Sequence, residues 1–252
     1  MSNPYESDKL LGEYLLFHYG SAAEVLPWSG GPVAALDYPV RCVTECVDVA
    51  SLPPGARALD VGCAVGRATF ELARHCDEAI GVDYSRRFVE VAGVLARDGA
   101  VPYQRTDEGA LTTPLIATVP AGIQRDRVKF EHGDAQKLRD SPGSFDVILA
   151  ANLIDRLREP GKFLARTPSL VRSGGQLVIT SPYTWLEEFT PPNHWLGGFI
   201  ENGVARTTLD GLSRALSDRF ALVGTKDLPF LIREHARKYQ WSVAQASIWR
   251  RK

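Results

Sequence analysis

Several things are scarce in this chain of 252 residues. Charge of one sign is scarce: 29 Lys and Arg stand against 30 Asp and Glu, a net charge of -1. That argues against a nucleic-acid binder working through a strongly basic face, a local patch excepted. No apolar run reaches the roughly 18 residues of a membrane span. The first residues, Met1 to Asp8, are polar rather than those of a signal peptide. The four cysteines, Cys42, Cys46, Cys63 and Cys76, are too few for a disulfide framework and fit a reducing compartment. Cys42 and Cys46 lie four apart with no Cys-x-x-Cys pair and no paired histidines, so buried thiols are expected and no metal site. There is no internal repeat and no low-complexity tract. The 44% hydrophobic and 23% charged residues are those of an ordinary globular protein. At about 150 residues per domain, one or two domains are allowed. A soluble, cytoplasmic protein is the expectation.

What the chain does have is alternation. Leu11, Tyr14, Leu15 and His18 fall at helical spacing within 5–19, and 40–50 reads as a second helix ended by Pro53-Pro54-Gly55. Strands are expected at 56–61, 78–82, 128–131, 145–150 and 176–181. Helices are expected at 67–75, 86–97, 159–171 and 209–219. Strands separated by helices imply βαβ units and a parallel sheet. The end differs: 220–232 and 239–249 read as two long strands forming a hairpin, which places an antiparallel strand on that sheet. The expected fold class is α/β, a Rossmann-like seven-stranded mostly parallel sheet with strand seven antiparallel and helices on both faces. The stretches 98–127 and 182–208 exceed simple connections and read as lids or insertions. Residues 1–252 are expected to form a single domain. Residues 1–55 would be a helical cover, 56–181 a cofactor-binding half, and 182–252 a lid segment, a helix and the hairpin.

The chemistry concentrates at strand ends. Asp60-Val61-Gly62-Cys63-Ala64-Val65-Gly66 sits on a strand–turn–helix. Gly62 permits the tight turn and Gly66 a close approach of the helix to a ligand. Asp60 makes the turn a poor phosphate cradle, because phosphate at a helix N-terminus would meet a negative charge. It suits a cation instead, such as the amino group of a methionyl moiety. Cys63 lies inside the turn, where a small side chain is wanted, and is not expected to be a nucleophile. Asp83, beside Tyr84, follows Gly62 by the spacing at which an acid takes a ribose diol. The bland alternative is that it only caps the next helix. Asp134 and Ala135 end the third strand, where Asp134 can accept from an adenine amino group.

These ordered elements resemble the class I S-adenosylmethionine-dependent methyltransferases over roughly 57–181. The resemblance implies that Asp60, Gly62 and Gly66 surround the methionyl part, Asp83 and Tyr84 the ribose, and Asp134 and Ala135 the adenine. Asn152, after the fourth strand, would close the pocket near the sulfonium. The cofactor implied is S-adenosyl-L-methionine, leaving as S-adenosyl-L-homocysteine. Arg41 and Cys63 join the implied cofactor contacts.

More narrowly, the chain resembles the ovothiol-pathway 5-thiohistidine N-methyltransferases. The segments that carry this include Asn3-Pro4-Tyr5-Glu6, Leu10 to Gly20, Ala35 to Cys42, Tyr103 to Gly109, Phe145 to Leu157 and Arg233 to Trp241. They imply methylation of an imidazole ring nitrogen of 5-thiohistidine to give ovothiol A. They also imply a stand-alone enzyme linked functionally to one that forms 5-thiohistidine. His18 and His235 are candidates for base or orienting residue, with His194 a third and Asn152 beside the transfer. Tyr14, Tyr19, Tyr183 and Trp185 are candidates for substrate contact. One of Arg41, Arg156 and Arg233 would grip the acceptor carboxylate. For either histidine alone, a satisfied core or surface residue is at least an even alternative. Rival functions are methylation of another small thiol, amine or imidazole, methylation of RNA or protein, and a non-catalytic cofactor-binding subunit.

Overall fold

The computed structural model describes residues 6–138 and 143–252. The resembling residues Asn3, Pro4 and Tyr5, where the first helix was expected to begin, lie outside them.

The N-terminal cover holds α1 (Asp8–Tyr19), α2 (Ala22–Val25) and α3 (Tyr38–Thr44). The first half of the sheet follows as β1 (Arg57–Val61), α4 (Arg67–Leu72), β2 (Glu78–Asp83) and α5 (Arg86–Asp98). A hairpin, β3 (Ala100–Glu108) and β4 (Leu111–Thr118), leads to β5 (Val128–His132) and β6 (Phe145–Ala151). Then come α6 (Pro160–Leu170), β7 (Val171–Ser181), the small hairpin β8 (Phe199–Glu201) and β9 (Val204–Arg206), and α7 (Thr208–Leu216). The chain closes with β10 (Phe220–His235) and β11 (Lys238–Arg251).

Local signals explain the boundaries. The Ser7 and Ser85 hydroxyls cap α1 and α5, accepting from the Leu10 and Phe88 N–H groups. Gly99, left-handed at φ 86°, ends α5. Thr207 and Asp210 form a capping box on α7.

The seven strands stand in the order β10-β11-β7-β6-β1-β2-β5. β1, β2, β5, β6 and β7 run parallel, and β11 runs antiparallel to both β7 and β10. The order departs in two directions from β1, so the binding crevice of such a sheet lies at the carboxyl ends beside it. Alternate residues of each strand face opposite sides. Ala58, Val147 and Val178 join the core under α1, α3, α4 and α5, whereas Leu59, Ile148, Leu177 and Trp249 join the core under α6 and α7.

Four expectations need correction. The helix expected at 40–50 spans only Tyr38–Thr44. Gln176 takes both the N–H and the carbonyl of Asp48 (2.8 and 3.0 Å), which holds the following segment out of the helix. The helix expected at 67–75 ends at Leu72. The stretch 98–127, read as a lid or an insertion with no strands expected in it, holds the β3–β4 hairpin, a separate two-stranded sheet. Its burial is one-sided and interrupted by Pro102 and Pro114, with Tyr103 and Ala117 buried and Leu111 and Ile116 exposed, which hid its periodicity. The terminal strands also run further than expected. Asp227 and Gln245 lie level with Ser181 at the edge of β7, so the hairpin beyond them overhangs the carboxyl edge of the sheet.

Candidate active site

The turn after β1 is built by backbone bonds. The N–H groups of Gly62 and Cys63 both donate to the Val82 carbonyl (2.8 and 3.1 Å), and the Ala64 N–H donates to Asp83 Oδ2 (2.9 Å). Gly62 and Gly66 are left-handed at φ 78° and 86°. A Cβ on Gly62 would stand 2.9 Å from Leu153, and one on Gly66 would stand 2.4 Å from the Phe130 ring. Packing against Phe130 is thus a further reason for glycine at position 66.

Asp60 is 1% exposed, and the Thr69 hydroxyl donates to it (2.7 Å). Burial, and secondarily the nearby Asp83 charge, push its carboxyl up to about 7. Burial also raises Asp83, opposed by the N–H groups of Ser85 and Ala64 that donate to its two oxygens. A buried carboxylate on β1 and a half-buried one at the end of the neighbouring β2 suit a ligand bearing a cation and hydroxyl donors. A bound ammonium restores the charge on Asp60, and each Asp83 oxygen keeps a lone pair. Cys63 is buried, and burial holds its thiol far above the usual range, so it stays neutral. Asp134 caps the short turn 135–137, accepting from the Gln136 N–H (2.8 Å) over the buried Ala135. Tyr84 is 65% exposed beside Asp83, its ring 6.1 Å from that of His132.

The last turn of α1 roofs this loop. The Tyr19 hydroxyl donates to the Val65 carbonyl (2.7 Å), and the Arg86 N–H donates to Glu6 (3.1 Å). Tyr14 packs on Phe88 at 4.9 Å, and Tyr14, Phe17 and Tyr19 surround His18 at 5.4–6.3 Å. Burial, helped by the positive charge of Arg67, drops the His18 imidazole to about 3. It is a neutral ring with an enclosed Nδ1 that has no partner among the described residues. The structure therefore brings His18, Tyr14 and Tyr19 to the cofactor loop.

Asn152 follows β6 in a left-handed conformation, φ 50°. Its Oδ1 accepts from the Tyr38 hydroxyl (2.7 Å), and that hydroxyl lies 2.6 Å from Thr180 Oγ1. Tyr38 is 2% exposed and stacks between Phe17 and Phe230 (6.0 and 4.9 Å). Tyr38, Thr180 and Arg67 escaped the sequence reading. No motif singles them out, since the roles of Tyr38 and Thr180 arise only when α3 and β7 are packed together, and that of Arg67 only when α1 lies over α4.

The remaining candidates lie apart from the loop. Arg41 donates to Glu45, the Ala34 carbonyl and the Pro229 carbonyl (2.6–2.9 Å), a staple between α3 and β10. Arg233 is 4% exposed and donates to the Glu24 carbonyl (2.6 Å) and Asp107 (3.4 Å). Arg156 donates to Asp155 and the Thr184 carbonyl and lies over Phe189. All three arginines have protein acceptors. The Tyr183 hydroxyl donates to Gln245 (3.0 Å), and Trp185 donates to Thr208 (2.9 Å) while stacking on Trp195. His194 sits in the short turn 192–194. His235 stands on the overhanging hairpin tip, where its Nδ1 accepts from the Arg237 N–H (3.3 Å). It lies eight positions beyond Asp227, which is level with the sheet edge.

Two family models, each described as a methyltransferase domain, match residues 59–179 and 121–243. Each match covers just under half of the chain, and both fall on the Rossmann-like sheet. S-adenosylmethionine is the cofactor of this domain, in keeping with its carboxylate-lined turn. An Azorhizobium caulinodans protein named ubiquinone biosynthesis O-methyltransferase is 29% identical over 53% of this chain and 44% of its own length. A Rauvolfia serpentina ajmaline N-methyltransferase is 26% identical over 69% of this chain and 53% of its own. The chain thus spans about half the length of these relatives. The solved structure of the [4+2]-cyclase SpnF shares the fold, with TM-score 0.54 and 18% identity over 84% of this chain and 80% of that one. Its title names a reaction other than methyl transfer, so fold alone does not fix the chemistry.

Proposed function

We propose that residues 1–252 act as one unit that methylates an imidazole ring nitrogen of 5-thiohistidine, giving ovothiol A. The observation that carries this reading is the roof. Tyr19 pins α1 to the Val65 carbonyl, which sets Tyr19 and the neutral His18 beside it at the cofactor turn, against the cleft expected at the carboxyl edge of the sheet. A cleft roofed in this way suits a small flat acceptor better than a polymer. The end-to-end resemblance of the sequence supports the particular acceptor, which an enzyme forming 5-thiohistidine would supply.

When bound, S-adenosylmethionine supplies the methyl group and the driving force for its transfer. Asp60 would hold its amino group, Asp83 its ribose hydroxyls, and Asp134 with Ala135 its adenine. The acceptor nitrogen must present a lone pair. Neutral His18 accepts the N–H of the other ring nitrogen and so selects the attacking tautomer. That ring proton passes to water after the methyl has arrived, so His18 need not become charged in its apolar surroundings. Tyr14 and Tyr19 turn aromatic faces to the cation and exclude water.

The experiment is an acceptor panel with S-adenosylmethionine. 5-Thiohistidine should far outpace histidine and histamine. Equal rates would sink this acceptor and favour a second reading, methylation of another small thiol, amine or imidazole.

A further inference from the structure

We propose that Tyr38 is a positioning residue that fixes the Asn152 carboxamide with its NH2 group toward the cleft, where it reads the sulfur of the acceptor. This rests on the acceptor reading above. The argument is a count of hydrogens. Tyr38 and Thr180 are buried at 2% and 0% exposure, and their oxygens are 2.6 Å apart. One hydrogen must lie between them. If Thr180 supplies it, the Tyr38 hydrogen is free for Asn152 Oδ1 at 2.7 Å. Both hydroxyl hydrogens then lie between oxygens. Thr180 Oγ1 also accepts from the Asn152 N–H (3.3 Å), which itself donates mainly to the Thr180 carbonyl (2.8 Å). The opposite amide orientation would offer Nδ2 to Tyr38, send the Tyr38 hydrogen to Thr180, and leave the Thr180 hydrogen to the sulfur of Cys42. That thiol is buried against both hydroxyls and is a weak acceptor. The first arrangement satisfies every buried group, and the second does not.

The consequence is directional. Asn152 is half-buried while its two partners are fully enclosed, so the end of the amide left for the cleft is the donor. Leu153 beside it presses on Gly62, which places this donor at the cofactor turn. Two N–H groups there favour an acceptor bearing a lone-pair or anionic substituent and disfavour an ammonium. They are not suited to the attacking nitrogen, whose lone pair must stay free. In 5-thiohistidine the matching group is the thiolate on the ring.

Tyr38→Phe removes the hydrogen that holds Oδ1 and frees the amide to turn. A hydrogen bond to a charged group is worth about 10- to 100-fold in binding. The kcat/KM preference for 5-thiohistidine over histidine should fall by at least about tenfold within that range, mainly through KM. The affinity for S-adenosylhomocysteine by calorimetry should stay within about twofold. Asn152→Asp keeps an oxygen for Tyr38 but turns an acceptor toward the cleft, and should lower the preference further. An equal loss on both acceptors, or a loss of S-adenosylhomocysteine binding, would reduce Tyr38 to a structural role and overturn the proposal. If Tyr38→Phe does not fold, Thr180→Val takes away the other oxygen that could accept the Tyr38 hydrogen, so the preference for 5-thiohistidine should be kept, and its loss would overturn the proposal. If wild type turns over neither acceptor, the acceptor reading fails, and amide orientation is then read by NMR. A weak contact between the Tyr38 ring protons and the Asn152 NH2 protons supports the assignment. A strong one overturns it.

Discussion

Asp60→Asn should strengthen the empty protein while crippling it for its cofactor. Asp60 is 1% exposed, and its carboxyl is raised from 3.8 to about 7, chiefly by burial. Each pKa unit corresponds to about 1.4 kcal/mol, so ionised Asp60 costs the fold about 4 kcal/mol relative to the unfolded chain. The sign follows from proton binding. Between about pH 4 and 7 the folded carboxyl holds a proton that the unfolded one has lost, so stability falls by about 1.4 kcal/mol per pH unit. Above about pH 7 both states are ionised and the cost levels off. Asparagine keeps an oxygen for the Thr69 hydroxyl and removes the charge. Urea unfolding of the empty protein near pH 8 should therefore show a gain of up to about 4 kcal/mol, shrinking to nothing near pH 4. Calorimetry with S-adenosylhomocysteine should show the affinity reduced by about 100-fold, by analogy with a lost charged hydrogen bond. In wild type, that affinity should weaken as pH falls below about 7, because Asp60 must ionise to meet the ammonium. A variant less stable at every pH, or one with undiminished affinity, would refute the reasoning.

Other outcomes follow from single contacts. Asp83→Ala, which also strips the acceptor from the Ala64 and Ser85 N–H groups, should weaken S-adenosylhomocysteine binding by about 100-fold with the circular dichroism spectrum unchanged. Gly66→Ala, at φ 86° and against Phe130, should destabilise by about 2–4 kcal/mol in denaturant titration, with partial recovery in the Phe130→Leu background. His18 stays neutral above about pH 4, so the pH–rate profile should carry no His18 limb near neutrality. His18→Gln, which keeps an acceptor atom, should retain more activity than His18→Ala in a steady-state assay.

The sheet was legible because strands buried on both faces read as short apolar runs, as in Val147-Ile148-Leu149 and Leu177-Val178-Ile179. The antiparallel strand was legible from two long strands at the end. The glycine turn with Asp60 and Asp83 was legible because backbone conformation and charge there are local properties. The acceptor side was not. Arg41 and Arg233 looked available as charges, but each had its acceptors supplied by segments far away in sequence, the Pro229 carbonyl for one and the Glu24 carbonyl for the other. Tyr38 lay in the resembling segment 35–42 without a role of its own, because that role needs Asn152 from the turn after β6 and Thr180 from β7. Direction and periodicity are written in the chain, whereas saturation of polar groups is a property of packing.

The most direct test is to incubate the protein with S-adenosylmethionine carrying an isotope-labelled methyl group and 5-thiohistidine, and to locate the label by NMR. The account predicts a labelled methyl on an imidazole ring nitrogen, formed in step with S-adenosylhomocysteine. Label on sulfur or on the amino group, or no transfer while the cofactor binds, would contradict it.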